Sequence, residues 1–212
     1  MSEMQTLSLP TYIFEFSAGR LCLDFVNTRS ARASGTPRER LKGYADLVSW
    51  GLQAQVLAED EARLLLVEDH QQAQERAQVL QRALAVREAL YRLFAAVGRG
   101  ELPAEADLAI FNAALAETQH YARIVVQNGE LVWGWVEKQG ELDSMLWEVY
   151  RSAANMLTSN ETSAVKFCAE HTCDWMFLDT SKNRSRRWCN MKSCGNRAKV
   201  RKHHERSKQA LI

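Results

Sequence analysis

The chain has 212 residues and a formal net charge of +1. At 46% hydrophobic and 25% charged it has the composition of a globular protein, which excludes a disordered chain. No run is long enough to cross a bilayer, and MSEMQTLSLP lacks a basic segment followed by an apolar one, so a cytoplasmic protein without membrane association is expected. The length suits one larger domain plus a small module.

In chain order, Tyr12–Phe16 is expected to open as a short strand. The apolar run Leu21–Asn27 fits either strand or helix, because a short run has no decisive period. RSARASGTPRER then reads as a loop. Tyr44, Leu47, Val48 and Leu52 share a helical face. Glu59, Asp60 and Glu61 suit a helix N-terminus, where negative charge is favoured. A long helix is predicted over 71–97 from Val79, Ala83, Val86, Leu90, Leu93, Phe94 and Val97, ended by Gly98 and Gly100. Pro103 suits the first turn of the next helix, which buries Leu108, Phe111 and Leu115. ARIVVQNGELVWGWV then changes period, and Asn128-Gly129 supplies a tight hairpin turn. A last body helix buries Leu142, Met145, Leu146, Val149, Ala153, Met156 and Leu157. The polar segment TSNETS, 158–163, is taken as the domain boundary. Trp50, Trp133, Trp135 and Trp147 are assigned to the core, and Cys22 packs in the body.

The segment 166–208 holds twelve Lys or Arg against four Asp or Glu, whereas 1–165 holds fifteen against twenty-two. A basic tail on an acidic body suggests a nucleic-acid partner. Four of the five cysteines lie in this tail, as Cys168-x4-Cys173 and Cys189-x4-Cys194 separated by fifteen residues. Paired spacing in a reducing compartment points to a metal before a disulfide. Four thiolates close a tetrahedral shell, so the cofactor expected is a structural Zn2+ rather than a catalytic one. His171 is read as a surface residue and Trp188 as packing over the metal.

AVKFC and DWMFLD read as two short strands, and CGNRAKVRKHHERSKQ as a basic helix. If Cys194 opens that helix, hairpin, metal and helix form a treble clef. Arg197, Arg201, His204 and Lys208 then lie on one face, with Lys199, Lys202 and Arg206 beside it. Arg184, Arg186, Arg187 and Lys192 come from the preceding loop. Such charge can neutralise phosphates, and a helix fits a DNA major groove. RNA, a protein partner, or a solvated helix that touches only the acidic body remain alternatives.

CAEHTCDWMFLDTSKNRSRRWCNMKSCGNRAKVRKHHER resembles the CGNR zinc finger, named for the tetrapeptide at Cys194, Gly195, Asn196 and Arg197. LCLDFVNT, and ADLVSWGLQAQVL at 45–57, resemble the ABATE domain that precedes this finger in bacterial stress-induced transcription regulators. The resemblance implies a mixed α/β body, a treble-clef finger with zinc on Cys168, Cys173, Cys189 and Cys194, and DNA binding. One departure is the spacer AEHT, where Glu170 and His171 replace the more usual turn-forming Asn or Pro.

The expected fold is therefore α+β: a mostly helical body with a β-hairpin over 1–160, then a small treble-clef zinc finger over 161–212. The body carries none of the phosphate-binding, dinucleotide, zinc-protease or serine-hydrolase motifs. His70 and His120 form no catalytic constellation, so no enzyme is expected. A small-molecule effector pocket at Asp24, Asn27 and Arg29 competes with simple capping by these residue types. An enzyme or ligand binder with its site in the body remains an alternative. A homodimer presenting two fingers would enlarge a small DNA footprint.

Overall fold

The computed structural model describes residues 10, 12–32, 36–67, 70–136 and 140–209. It is 54% helical with small β-hairpins. The N-terminal stretch 12–17 forms no strand. Gln53 takes the place of a pairing strand: its Oε1 accepts from the Phe14 N–H at 2.9 Å, and its Nε2 donates to the Tyr12 carbonyl at 2.9 Å. A side-chain amide thus satisfies the backbone groups that a ladder would use.

The ambiguous run becomes a short helix, α1 (Leu21–Val26), with Cys22, Leu23, Phe25 and Val26 fully buried. An apolar helix of this kind persists only where neighbours cover every side. The segment expected to be a loop contains a two-residue antiparallel pair, β1 (Arg29–Ser30) with β2 (Arg38–Glu39). Next come α2 (Tyr44–Gln53) and α3 (Glu59–Leu65). Both are started by an acidic side chain in the first turn: Asp46 accepts from the Gly43 N–H at 2.9 Å, and Glu61 from the Ala58 N–H at 2.8 Å.

The long helix α4 runs Ala73–Gly98, and Gly100 adopts φ +74° just beyond it. Pro103 does not enter the following helix. That helix, α5 (Glu105–Gln119), takes Ala104 as its extended N-cap, because the chain must turn back on α4 before a buried Asp107 can meet Arg92 at 2.6 Å. Strands β3 (Ala122–Gln127) and β4 (Glu130–Trp135) pair in antiparallel register around Asn128 and Gly129, whose φ angles are 53° and 82°. Helix α6 (Ser144–Leu157) completes the body.

The core lies between α1, α2, α4 and α6. Trp50 and Trp147 are buried, Trp50 edge-on to Phe25 and Trp147 stacked on Tyr121 at 4.2 Å. Trp135 is half-buried and donates to Glu148. Trp133, expected in the core, is 53% exposed because it lies on a hairpin face that nothing covers among the described residues, beside the exposed Ile124, Val126 and Leu131. Cys22 packs in the body as expected, its thiol against Met156 Sδ.

The polar segment after α6 is not a loose linker. Asn160–Ala164 form a tight helical turn whose Ser159 Oγ accepts from the Glu161 N–H, and Glu161 pairs with Arg20. The core continues through it into β5 (Val165–Phe167) and β6 (Met176–Leu178), an antiparallel pair, and on to Cys168, Cys189 and Cys194. A π-type turn, Met191–Gly195, leads into α7 (Asn196–Gln209).

Candidate metal centre

The two cysteine pairs sit on two tight backbone turns. Cys168 follows β5, and its N–H reaches the Trp175 carbonyl at 2.8 Å. The Cys173 N–H donates to the Glu170 carbonyl at 2.8 Å, which folds AEHT into a knuckle without Asn or Pro. The second turn is shaped by Asn190, whose Oδ1 accepts from the Lys192 N–H and whose carbonyl accepts from the Gly195 N–H.

The four Sγ atoms all lie within 4.8 Å of one another. The Cys173–Cys189 and Cys189–Cys194 separations are 3.8 and 3.6 Å. A tetrahedron with Zn–S bonds of about 2.3 Å has edges of about 3.8 Å, so the donor set fits zinc. A disulfide needs sulfurs about 2.05 Å apart, and all four thiols are free of one. Four thiolates leave no open coordination position, and the centre is a structural zinc site.

Two of the sulfurs, Cys168 and Cys194, have N–H donors aimed at them. The Cys189 N–H points at Cys168 Sγ at 3.4 Å, and the Arg197 guanidinium at Cys194 Sγ at 2.9 Å. Hydrogen bonds from Cys173 and Cys189 pull the Cys168 thiol well below its ordinary pKa, while the same contacts push those two partners up. His171 is exposed and its Nδ1 sits 2.7 Å from Glu170, away from the sulfurs. Trp188 packs half-buried on the core beneath the Arg187 guanidinium, 5.3 Å from the ring centre.

The CGNR tetrapeptide has a local reason at each position. Cys194 is a donor. Gly195 is buried, and a Cβ there would stand 2.6 Å from Met191 Sδ, so that flexible side chain would have to move aside. Asn196 Nδ2 donates back to the Lys192 carbonyl at 3.0 Å, and Arg197 serves Cys194.

The basic residues divide into two groups. Arg186 is turned inward: it donates to the carbonyls of Ser17, Trp188 and Cys189 and stacks on Phe177 at 4.3 Å. Arg201 reaches the buried Glu170 at 2.6 Å, tying α7 to the first knuckle. Arg184, Arg187, Lys192, Arg197, Lys199 and Lys202 are exposed. Lys192, Asn196, Arg197, Val200, Arg201 and His204 line an open groove of about 820 Å³ along α7. The side chains of Arg206 and Lys208 lie outside the described residues.

Asp24, Asn27 and Arg29 each have a partner within the protein. Asp24 accepts from the Ala18 N–H at 2.9 Å, and burial pushes its carboxyl up to about 6. Asn27 brackets Met176, donating to its carbonyl at 2.8 Å and accepting from its N–H at 2.9 Å. Arg29 lies 3.5 Å from Glu88. Asn27 joins body to finger.

That junction holds residues the sequence did not single out. The finger's Asp174 accepts from the N–H groups of Ala31 and Arg32 at 2.8 and 2.6 Å. Arg32 pairs with Glu88, and Glu88 with the buried Arg87, which also holds Glu39. Burial opposes ionisation of Glu39 and Glu88, but the arginines prevail and hold both carboxyls below their usual range. Within the finger, Asp179 is held well below that range by the Lys166 ammonium and the Ser181 hydroxyl. In sequence these are ordinary charges on a loop, a helix and a strand end, and nothing in their spacing marks them as partners.

The comparisons agree with this geometry. The ABATE family model, described as "Putative stress-induced transcription regulator", matches residues 19–160. The CGNR zinc finger model matches residues 165–207. Among curated proteins no significant match exists. Neither matching family is an enzyme family, and among the described residues no helix is long and apolar enough to cross a membrane. With about two thirds of its length on the first model and all four clustered thiols within the second, the chain belongs to the ABATE family and carries a CGNR zinc finger.

Proposed function

We propose that the protein is a cytoplasmic DNA-binding transcription regulator that presents α7 to duplex DNA from a treble-clef finger. The observation that carries this reading is a basic helix fixed at its first turn by the metal centre, with Arg197, Lys199 and Lys202 exposed. Hairpin, second knuckle and helix follow in treble-clef order. Lys192, Arg184 and Arg187 extend the basic surface. Arg201 contributes charge at the groove wall while anchoring the helix. Arg186 supports the loop from inside.

A second copy would provide the second finger. Ile124 faces Trp133 and Val126 faces Leu131 across the hairpin, and all four are more than half exposed. A two-fold contact sets like surfaces against each other, and this uncharged ladder can meet itself without repulsion. Trp133→Lys is then expected to convert a dimer to a monomer in sedimentation analysis. A wild-type monomer at all concentrations would remove the dimer from this reading.

The deciding experiment is selection from random duplex DNA and RNA pools by the zinc-loaded protein across a salt series. A duplex motif should be enriched. Lys199→Ala and Lys202→Ala should each lower the salt slope by about one unit per lost phosphate contact. Enrichment of structured RNA instead, or no binding to either pool, would overturn the proposal.

A further inference from the structure

Two adjoining cavities open in the body where α4, α5 and the start of α6 meet. Their volumes are about 610 and 230 Å³, and they share Val79, Arg82, Glu117 and Asp143. The larger brings four carboxylates, Glu75, Glu117, Glu141 and Asp143, against a single arginine, Arg82. The smaller is walled mainly by aliphatic side chains, among them Val86, Ile110 and Leu146. Acid lies at one end and hydrocarbon at the other.

Tyr150 adds an independent observation. It lines the smaller cavity and is only 3% exposed. Its ring packs edge-on to Phe111, and its hydroxyl, which has no hydrogen bond among the described residues, is not one of the polar atoms sealed off from solvent. A buried phenol normally has a partner. Burial pushes its pKa up, so it keeps its proton. Its hydroxyl can therefore donate or accept at a cavity that also contains Asp143.

The carboxylates do not form a metal site. Among the described residues only the four thiols draw close enough together to hold an ion. These carboxylates are distributed over α4, α5 and the turn before α6, around a cavity large enough for an organic cation. Asp143 is half-buried, with Oδ1 accepting from Trp147 Nε1–H at 3.0 Å, and burial raises its pKa. A cation would relieve that cost.

We propose that this cleft binds a small amphipathic amine. The ammonium sits among Asp143, Glu117 and the Tyr150 oxygen, and a short aliphatic or aromatic tail lies against Val86, Ile110 and Leu146. A carboxylate ligand of the same shape is disfavoured, because it would meet four like charges with one arginine to offset them.

The test is calorimetric titration of the full zinc-loaded protein with phenethylamine and, separately, with 3-phenylpropanoate, which keeps the tail and reverses the charge. The amine should bind saturably and at least about tenfold more tightly than the acid. Glu117→Gln, at an exposed position, and Asp143→Asn should each weaken the amine. Ala113→Phe, at the exposed rim of the smaller cavity, should abolish binding without altering the circular dichroism spectrum or the Tm. Equal affinity for acid and amine, the absence of saturable amine binding, or amine binding that survives Ala113→Phe would each overturn the assignment.

Discussion

Arg197 sits in a surface helix turn, yet its guanidinium reaches a metal-donor sulfur at 2.9 Å. Such outer contacts orient a ligand and stabilise its charge, and losing one typically costs about 10–100-fold in metal affinity. Arg197→Ala is therefore expected to lose zinc to a chromogenic chelator at lower chelator concentration than the parent, while still binding one equivalent when zinc is in excess. Unchanged competition would mean that the contact does not tune the centre. Protons compete with the metal for all four sulfurs, so acid should release zinc from both proteins, and from the variant at the higher pH. Asp179 gives a separate acid response. Lys166 and Ser181 hold its carboxyl below the ordinary range. Its stabilising effect is thus present above the unfolded-state pKa of about 3.9 and is lost as pH falls through the lower folded value. Unfolding midpoints measured downward from pH 5 should fall less steeply in Asp179→Ala than in the parent. Parallel curves would remove Asp179 as the cause.

At the scale of elements, α1 and β6 are joined by one side chain. Asn27 satisfies both the N–H and the carbonyl of Met176 from inside the core. Asn27→Ala leaves two buried backbone groups without partners, at about 1–3 kcal/mol for each group left unsatisfied. Urea unfolding followed by circular dichroism should show a drop within that range or above it; a change below about 0.5 kcal/mol, the usual surface value, would contradict the bracket. The pattern of the chain predicts α4, α6 and the hairpin well, because each repeats one period over many residues or carries Asn-Gly at its turn. It does worse with short runs. Tyr12–Phe16 has strand texture but pairs with Gln53, and Leu21–Val26 becomes a helix because α4 and α6 surround it.

For the whole molecule, body and finger share one core. Phe177 and Leu178 are buried in the same cluster as Leu23, Phe25 and Leu93. The Leu178 N–H donates to the Ala18 carbonyl at 2.7 Å, Arg186 reaches Ser17, and Asp174 caps the chain at Ala31 and Arg32. Removing the metal should therefore be felt beyond the finger. Cys189→Ser is expected to lose zinc and also to speed hydrogen exchange in α1, where a separate core would leave exchange unchanged. Full protection of α1 in that variant would restore the picture of two independent units.

The sequence by itself determined the metal chemistry: four cysteines at doubled x4 spacing in a basic tail name their ligand type, and local chain geometry brings each pair together. It also determined the long helices and the hairpin, whose signals are local and repeated. Tertiary structure alone decided which charges face outward. Arg186 and Arg187 are the same letter side by side, but one meets three carbonyls inside the junction and the other is exposed. The same holds for Asn27, Asp174 and the carboxylates around Asp143. Their partners lie far along the chain or on other helices, and a side chain's role in such a cluster is set by proximity that no local spacing encodes.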